Sequence, residues 1–386
     1  MRLEKPCPHF PDCVGCTLIG NPYGVQLERK RETVRAALAS HATLCAIDVP
    51  EVVGSPKAFG YRNQAKLVVR AGQQGLLIGI YRPGSHEVVD IRRCPVHHPL
   101  VTEVLARVAA EIERRALSIY DERTQRGLLR YVIVRVSTWT KRAQVILVTR
   151  ERALPDGAGL KRALRRIHGV ASVVQNVNPD PGNVILGPTF VRLDGDLDLV
   201  ERVGFLKLKS SAGAFLQANI SVARKIYERV LEWAAPQADD TVADLYCGVG
   251  ATSFHLATAA RHVEGIEASP VAVLDAKMNT RLNGFHNVRF HTGEAGIVLP
   301  DVAARLGQID LVTLNPPRKG ADEATRRAIV ACAPRRIVYV SCDPTTLARD
   351  LDWFAANHYG TTKLQPYDML PQTEHVECVA LLEKEV

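Results

Sequence analysis

The second half of the chain alternates short apolar runs with helical stretches, and this alternation limits the possible folds more than any other feature. From residue 242 onward each β-like run, such as VADLYCG or RIVYVSCD, leads into a helical stretch. Strands that alternate with helices form a parallel sheet covered on both faces. The last two runs, KLQPYDML and VECVALLEK, have no helix between them, which predicts an antiparallel pair at one edge. The expected fold class for residues 206–386 is α/β.

The first half has a different pattern. Residues 24–40 have helical periodicity, with apolar positions at Val25, Leu27, Val34 and Leu38. Further along, short β runs are separated by glycine and proline and mixed with helical stretches. This pattern predicts a mixed α+β domain over residues 1–205, followed by the α/β domain over residues 206–386.

Basic charge is concentrated in the first domain. The chain carries 49 Lys+Arg and 41 Asp+Glu, and residues 1–205 hold 30 of the former against 20 of the latter. This excess favours a polyanion such as RNA as a partner, although charge alone does not distinguish an RNA site from a solvated basic surface. Basic and aromatic residues along the β runs could contact phosphates and unpaired bases: Arg62, Lys66, Arg70, Arg92, Arg93, Arg130, Arg135 and Arg142, with Tyr61, Tyr81, Tyr131 and Trp139.

Composition excludes several classes of protein. The sequence contains no run of 18 apolar residues, which a membrane span would require, and its first residues lack the apolar core of a signal peptide. We therefore expect a cytoplasmic protein. The nine cysteines are an odd number in such a chain, which argues against a disulfide framework.

The run Asp244–Gly250 (DLYCGVG) ends a predicted strand and opens a helix. Two glycines let the backbone approach a ligand closely, but residue 253 is Ser, so the dinucleotide motif GxGxxG is absent. Glu267 ends the next strand, where a carboxylate can bind both hydroxyls of a ribose. The pair fits an adenosine cofactor without a phosphate chain, such as S-adenosylmethionine, although such a turn can also serve packing alone. The strand layout is that of a seven-stranded Rossmann-like methyltransferase sheet.

Three further positions could carry chemistry at the same edge of the sheet. Asn315 opens an NPPR loop, in which Arg318 replaces the aromatic residue typical of amino-group methyltransferases. Cys342 precedes a predicted helix capped by Asp343, and the partial positive charge of a helix N-terminus favours a thiolate. Glu377 begins the last strand and could act as a general base. Taken singly, a packed cysteine and an exposed edge-strand glutamate are the simpler interpretations.

Together these groups suit methylation of carbon 5 of uracil. A thiolate that adds to carbon 6 makes carbon 5 nucleophilic toward a sulfonium methyl group. A base must then remove the carbon 5 proton so that the thiolate can leave.

The runs DLYCGVG, NPPRKG, YVSCDPTTLARDL and DMLPQTEHVE closely resemble the RNA uracil-5-methyltransferase family, which makes 5-methyluridine in bacterial 23S rRNA and in tRNA. The resemblance continues upstream through AFLQAN and GYRNQAKL and covers nearly the whole chain in order. It implies Cys342 as the nucleophile and Glu377 as the base. It also implies contacts to S-adenosylmethionine from Gln217, Tyr246, Glu267 and Asn315, and it places Phe215 and Arg62 near the target base.

Two positions depart from the family pattern. The family usually has Asp where this chain has Asn315, which keeps the hydrogen-bonding shape but loses the charge. Ala251 replaces a residue that is often Asn or Thr, so a side-chain contact to the cofactor is absent there.

Four cysteines near the N-terminus have the character of metal ligands: Cys7, Cys13, Cys16 and Cys94. Four thiolates suit either zinc or a [4Fe–4S] cluster, and their spacing does not separate the two. The family resemblance favours the [4Fe–4S] cluster.

The resemblance also bears on the RNA substrate. Some members carry an additional N-terminal oligonucleotide-binding barrel, whereas this chain begins almost at the cysteines. The resemblance therefore favours 23S rRNA over tRNA as the substrate. We also expect the protein to be a monomer. The alternatives are tRNA as the target, a non-catalytic metal-cluster RNA-binding protein, and an amino-group methyltransferase that uses the NPPR loop.

Overall fold

The computed structural model of the protein describes residues 7–73 and 75–385. The chain forms two compact units. The first unit comprises residues up to Gly20 together with Lys57–Arg202 and Ser210–Gly213, and the second comprises Asn21–Pro56, Val203–Lys209 and the chain from Ala214 onward. The predicted division at 205/206 differs from this arrangement, chiefly because Asn21–Pro56 pack with the second unit.

The described residues form the following elements in chain order. The helices are α1 (Tyr23–Ala39), α2 (Pro99–Arg114), α3 (Gly157–Arg165), α4 (Ile220–Ala234), α5 (Ala251–Leu256), α6 (Pro270–Asn283), α7 (Ala295–Leu306), α8 (Glu323–Ala331) and α9 (Pro344–Ala355). The strands are β1 (Gln64–Gly72), β2 (Gly75–Tyr81), β3 (Val88–Asp90), β4 (Leu129–Ser137), β5 (Arg142–Thr149), β6 (Val170–Val177), β7 (Thr189–Asp194), β8 (Asp198–Val203), β9 (Leu206–Ser211), β10 (Thr241–Leu245), β11 (His262–Glu267), β12 (Val288–Thr292), β13 (Leu311–Leu314), β14 (Arg336–Ser341), β15 (Tyr359–Tyr367) and β16 (Glu377–Lys384). Within this described part, no helix combines the length and apolar character needed to cross a bilayer.

The first unit is a mixed α+β structure, as predicted. Its sheet has the order β3-β2-β1-β4-β5-β6-β7. Neighbouring strands are antiparallel except β5 and β6, which are parallel and are joined through α3. Strand β4 is buried along its whole length, because the sheet is covered on both faces in this region.

The second unit is built on a sheet with the order β12-β11-β10-β13-β14-β16-β15. Strands β10 to β14 run parallel to their neighbours, and β16 is antiparallel to both β14 and β15. Alternate residues along the strands enter two separate apolar cores, one on each face of the sheet. This topology confirms the predicted Rossmann-like sheet of seven strands with an antiparallel pair at one edge.

Helix α1 belongs to the second unit although nearly all of the first unit follows it in the chain. The buried stripe of α1 consists of Gln26, Lys30, Val34 and Leu38, whereas Val25 is 44% exposed. Val25, one of the four apolar positions of the predicted helix, therefore lies outside the buried stripe. Hydrophobic periodicity does not reveal this stripe, because two of its members, Gln26 and Lys30, are polar. Both form hydrogen bonds to buried partners within the second unit.

A buried ion pair ties α1 to the segment that precedes β16. The ammonium of Lys30 donates to the carboxylate of Asp368, and both side chains are fully buried, with 0% exposure. The hydroxyl of Tyr23 donates to the other oxygen of the same carboxylate at 2.7 Å. Gln26 Nε2 donates to Gln372 Oε1 at 3.0 Å. Helix α1 therefore fixes the backbone that leads into the first residue of β16.

We expect Lys30→Met to lower the free energy of unfolding by about 3–5 kcal/mol, because it leaves the Asp368 carboxylate buried without its cation. Urea unfolding followed by circular dichroism measures this loss. The double variant Lys30→Met/Asp368→Leu should recover most of it, since an apolar pair of similar volume avoids burying a charge. Arg29→Met, at an exposed position one residue earlier, should change stability by less than about 0.5 kcal/mol. Equal losses in the Lys30 and Arg29 variants would contradict the assignment.

Candidate active site

The glycine turn after β10 has the backbone geometry of a ligand cradle. Tyr246, Gly248 and Gly250 all have left-handed backbone angles, with φ of 58°, 56° and 92°. A Cβ added at Gly248 would meet no atom within 4 Å, so open space lies above the turn. Glycine adopts such angles without strain, which lets the backbone come close to a bound molecule.

Glu267 lies next to this turn, as predicted from its place at the end of β11. The Gly248 N–H donates to Glu267 Oε2 at 3.1 Å, and the Ser269 N–H donates to Oε1 at 2.8 Å. Each carboxylate oxygen thus receives one backbone hydrogen bond and keeps further acceptor capacity. That capacity is what a pair of ribose hydroxyls requires.

A buried carboxyl group beneath the turn was missed in the sequence analysis. Asp244 accepts hydrogen bonds from Ser253 Oγ at 2.5 Å and Thr313 Oγ1 at 2.7 Å. Burial raises the pKa of Asp244 to about 6, although the hydrogen bonds from the two hydroxyl groups act in the opposite direction. Asp244 therefore ties the turn to α5 and β13. Its position in an otherwise apolar strand was the available signal.

The remaining predicted cofactor residues lie around the same edge of the sheet. Tyr246 directly follows β10, and its hydroxyl donates to Thr325 Oγ1 at 3.3 Å. Asn315 directly follows β13, where its N–H donates to the Leu245 carbonyl at 3.3 Å. Gln217 is outside the sheet, in the segment before α4, and is half-buried. Because β10, β11 and β13 are parallel neighbours, Tyr246, Glu267 and Asn315 meet at their carboxyl ends.

Cys342 and Glu377 come together at this same edge. In the antiparallel ladder of β14 and β16, Ser341 pairs with Cys378, so the next position brings Cys342 level with Glu377. Because β14 is parallel to β13, Cys342 also follows a strand at its carboxyl end, as Tyr246 and Asn315 do. The strand order of the sheet thus positions a thiol and a carboxyl group at its ligand edge.

The pKa values of both groups are raised. Burial raises the pKa of Glu377 to about 7, while the nearby Arg318 guanidinium opposes the shift. Burial also raises the pKa of the Cys342 thiol, and the Glu377 charge adds to this, whereas Arg318 lowers it. Burial and the Glu377 carboxylate therefore act against the thiolate that the N-terminus of α9 is predicted to favour, whereas Arg318 acts for it.

Arg318 supplies the positive charge beside Cys342 and Glu377. In the sequence it is distinguished only by replacing the aromatic residue of the amino-group methyltransferase loop. It acts electrostatically on both Cys342 and Glu377. Its Nη2 lies 3.0 Å from Nε2 of His375, two residues before Glu377. The two prolines of the NPPR loop restrict the backbone before Arg318 and so help to hold it there.

The four predicted metal ligands all belong to the first unit. Burial and the charges of Cys94, Cys13 and Cys7 together raise the pKa of Cys16 to about 12, so the four thiols are electrostatic neighbours. Within residues 7–73 and 75–385, however, no three His, Cys, Asp or Glu side chains are arranged as a metal site. The metal assignment therefore stays a prediction.

Two histidines in the same unit have buried ring nitrogens that lack a hydrogen-bond partner. These atoms are His9 Nε2 and His97 Nδ1. Burial, with smaller contributions from the nearby Arg62 and His9, lowers the pKa of His97 to about 3. Buried polar atoms in native structures usually have partners, so this pair indicates a missing polar group in the vicinity.

Several of the predicted RNA-contacting residues are part of the fold instead. Arg130 and Arg135 are 2% and 3% exposed, and their guanidinium groups donate to backbone carbonyl oxygens. Tyr61 and Tyr131 are also buried. The predicted residues that remain exposed in the first unit are Arg62, Lys66, Arg93, Trp139 and Arg142. In the second unit, the Phe215 side chain is 69% exposed.

Comparison with known proteins agrees with this fold and site. The family model described as tRNA (uracil-5-)-methyltransferase matches residues 22–385. An uncharacterized RNA methyltransferase of Geobacter sulfurreducens is 43% identical over 100% of this chain and 78% of its own length. Another, from Halalkalibacterium halodurans, is 39% identical over 99% of this chain and 84% of its own length.

A solved structure covers both units. The Pyrococcus abyssi tRNA (uracil-54, C5)-methyltransferase, in complex with S-adenosyl-L-homocysteine, superposes with a TM-score of 0.77 and 29% identity. The match covers 96% of this chain and 86% of that one. Fold and site thus define an RNA methyltransferase. More specifically, the chain belongs to the tRNA (uracil-5-)-methyltransferase family.

Proposed function

We propose that the protein transfers a methyl group from S-adenosylmethionine to carbon 5 of a uridine in RNA. The observation that carries this proposal is the juxtaposition of Cys342 and Glu377 at the ligand edge of the sheet. A nucleophile and a carboxyl group with a pKa near neutrality are the two protein groups that this reaction needs.

The chemistry assigns one task to each residue. The Cys342 thiol first loses its proton to solvent, and the thiolate then forms a bond to carbon 6 of the uracil. The electron pair displaced toward carbon 5 attacks the sulfonium methyl group, so that the methyl–sulfur bond breaks and S-adenosylhomocysteine leaves. Glu377 then accepts the carbon 5 proton, and the electrons of that C–H bond restore the 5,6 double bond as sulfur leaves. Arg318 is close to both groups, so its charge favours the thiolate and the carboxylate over their neutral forms.

The glycine turn and its neighbours fit S-adenosylmethionine. Glu267 has free acceptor capacity for the ribose hydroxyls, and the backbone at Gly248 leaves space for the ligand. Tyr246 and Asn315 flank this position, and Gln217 completes the proposed set. The Pyrococcus abyssi relative, solved with S-adenosyl-L-homocysteine, supports the same class of cofactor here.

The RNA substrate is tested by methylation in vitro. Purified protein is incubated with S-adenosylmethionine carrying a labelled methyl group, and with 23S rRNA or tRNA from cells that lack the corresponding gene. We expect 5-methyluridine in one of the two RNAs, measured by mass spectrometry of nucleosides. The sequence favoured 23S rRNA, whereas the solved relative acts on tRNA. Label on an exocyclic amino group, or no label in either RNA, would overturn the proposal.

We further propose that Cys7, Cys13, Cys16 and Cys94 hold a [4Fe–4S] cluster, with zinc as the alternative. The charges of the four thiols act on one another. Buried ring nitrogens of His9 and His97, in the same unit, have no hydrogen-bond partner among the described residues. Such a cluster would join the N-terminal segment to the sheet of the first unit.

A cytoplasmic location and a monomeric state are predicted from the sequence.

Anaerobically purified protein is expected to be brown and to contain four iron and four sulfide ions per chain. The variant Cys13→Ser should lose most of this iron, because the cluster is held by thiolates. Cys45→Ser is the matched control, since Cys45 is exposed and belongs to the second unit. If the protein instead contains one zinc ion per chain and no iron, the zinc site is supported and the [4Fe–4S] cluster is rejected. If Cys13→Ser retains its iron, the assignment of these four cysteines as ligands is contradicted.

A further inference from the structure

A cavity of about 600 Å³ opens on the first unit. It is lined by residues of β1, β2 and β4 and by the loop between β2 and β3. Its volume lies within the range of about 300–1,000 Å³ that is typical of small-ligand sites. The lining residues that carry the argument are Lys66, Gly79, Tyr81, Glu122, Tyr131 and Asn183.

The backbone of the sheet itself contributes to this cavity. Gly79 of β2 can carry no side chain, because a Cβ there would lie 1.7 Å from the carbonyl oxygen of Val89. Gly79 is paired with Val68 of β1, which also lines the cavity. Close packing of β2 against β3 therefore requires glycine at this point of the cavity lining.

Tyr81 provides an aromatic wall in a fixed orientation. Its hydroxyl donates to Glu122 Oε1 at 2.6 Å and accepts a hydrogen bond from the Arg70 guanidinium. The same guanidinium lies over the ring, 5.4 Å from its centroid. Tyr131 is a second aromatic lining residue, and its hydroxyl acts electrostatically on that of Tyr81. Rigid tyrosine rings are the side chains on which unpaired bases stack.

Lys66 supplies a positive charge at the cavity. Its ammonium has no carboxylate partner in the part of the chain that the structure describes. The charged groups that act on it are those of Arg135 and Arg62. Glu122, the carboxylate in the lining, is paired with Arg70 instead. An RNA phosphate is an anion that such a group of cations binds.

We propose that this cavity binds an unpaired nucleotide of the RNA substrate other than the uridine that is methylated. The base lies against Tyr81, and Tyr131 contributes only the small exposed part of its side chain to the wall. The phosphate contacts Lys66, and the Asn183 amide on the exposed loop reaches the base edge. This inference rests on the proposed function, since it requires RNA as substrate. No cysteine lines the cavity, so the covalent step attributed to Cys342 cannot occur there.

Cross-linking to a trapped complex tests the proposal directly. RNA with 5-fluorouridine at the target position forms a lasting adduct, since fluorine replaces the proton that the base must remove. Ultraviolet irradiation of this complex, followed by peptide mapping, should join a second nucleotide to the peptide that contains Tyr81 or Tyr131.

Kinetics with single variants provide an independent test. We expect Lys66→Gln to raise the KM for RNA about tenfold with kcat within twofold, and to lower the salt-dependence slope by about one. Asn183→Trp, which fills the cavity from an exposed loop, should also raise the KM without unfolding the protein. Lys141→Gln removes the same charge at an exposed turn outside the cavity lining and should leave all three quantities unchanged.

The outcomes separate this inference from the proposed function. If the adduct forms at the target uridine, but no second nucleotide cross-links at the cavity and both cavity variants match Lys141→Gln, the inference is overturned and methylation stands. If no RNA forms an adduct, both fall. A small molecule that co-purifies in the cavity and is not displaced by RNA would also overturn the inference.

Discussion

Replacement of Cys342 by alanine is expected to abolish both the covalent adduct with 5-fluorouridine RNA and the methylation of natural RNA. The loss should be on the order of 10⁴-fold or more, because removal of a nucleophile eliminates the covalent route instead of weakening it. Denaturing gel electrophoresis detects the adduct, and transfer of labelled methyl groups measures turnover.

Cys332→Ala is the matched control for this experiment. Cys332 is a half-buried cysteine at the end of α8 in the same unit, and burial raises its pKa as it does that of Cys342. It does not lie beside Glu377 in the strand ladder, so its removal should leave activity within about twofold. Methylation that survives in Cys342→Ala would favour an amino-group methyltransferase that uses the NPPR loop. A protein that binds RNA but not S-adenosylmethionine would favour a non-catalytic role.

Replacement of Glu377 by glutamine should have the second largest effect, with a different signature. Without the base, the carbon 5 proton stays in place, and the sulfur–carbon bond cannot be released by elimination. We therefore expect a lasting adduct with natural RNA, and turnover lower by about 10²–10⁴-fold. Glu374→Gln, three residues earlier at an exposed position, is the matched control and should release its product normally. If Glu377→Gln turned over like this control, Glu377 would not be the base.

The pH dependence gives a further check on Glu377. Its pKa is raised to about 7, and only the ionised form accepts a proton, so the rate should rise with pH between about 5 and 7. A further rise at higher pH would report ionisation of the Cys342 thiol, whose pKa is raised as well. The folded protein holds this proton to a higher pH than the unfolded chain does. Ionisation between about pH 4.5 and 7 therefore costs stability, and Glu377→Gln should unfold at a higher temperature than the wild type at pH 8. An activity profile that is flat between pH 5 and 8 would contradict the assignment.

The architecture of the second unit could be predicted because its signals are local. Strands β10, β13 and β14 are short runs rich in apolar residues, each followed by a turn, and DLYCGVG marks the end of β10 by its two glycines. The pair β15 and β16 was predicted from the absence of a helix between two runs. The pairing of β16 with β14, its other neighbour, brings Cys342 level with Glu377, so most of the catalytic geometry follows from the strand order.

Long-range partners could not be predicted in the same way. Gln26 and Lys30 are read from the sequence as solvent-facing because their partners, Gln372 and Asp368, lie more than 300 residues away. The N-terminus of α9 predicts a Cys342 thiol that ionises easily, but this thiol is half-buried and lies beside Glu377, which follows it by 35 residues. Arg130 and Arg135 counted as surface charge until the structure showed their carbonyl partners. In each case the deciding group comes from another part of the chain.

The pairing of Lys30 with Asp368 also has a consequence for synthesis of the protein. The two residues are separated by 338 positions, and translation at about 5–20 residues per second would take about 17–68 s to cover that distance. During this interval α1 has left the ribosome without its carboxylate partner, so the second unit cannot close around it until the last strands emerge. A fragment that starts at residue 206 would lack α1 permanently. Nascent chains halted before β15 should therefore be more sensitive to protease at α1 than the finished protein.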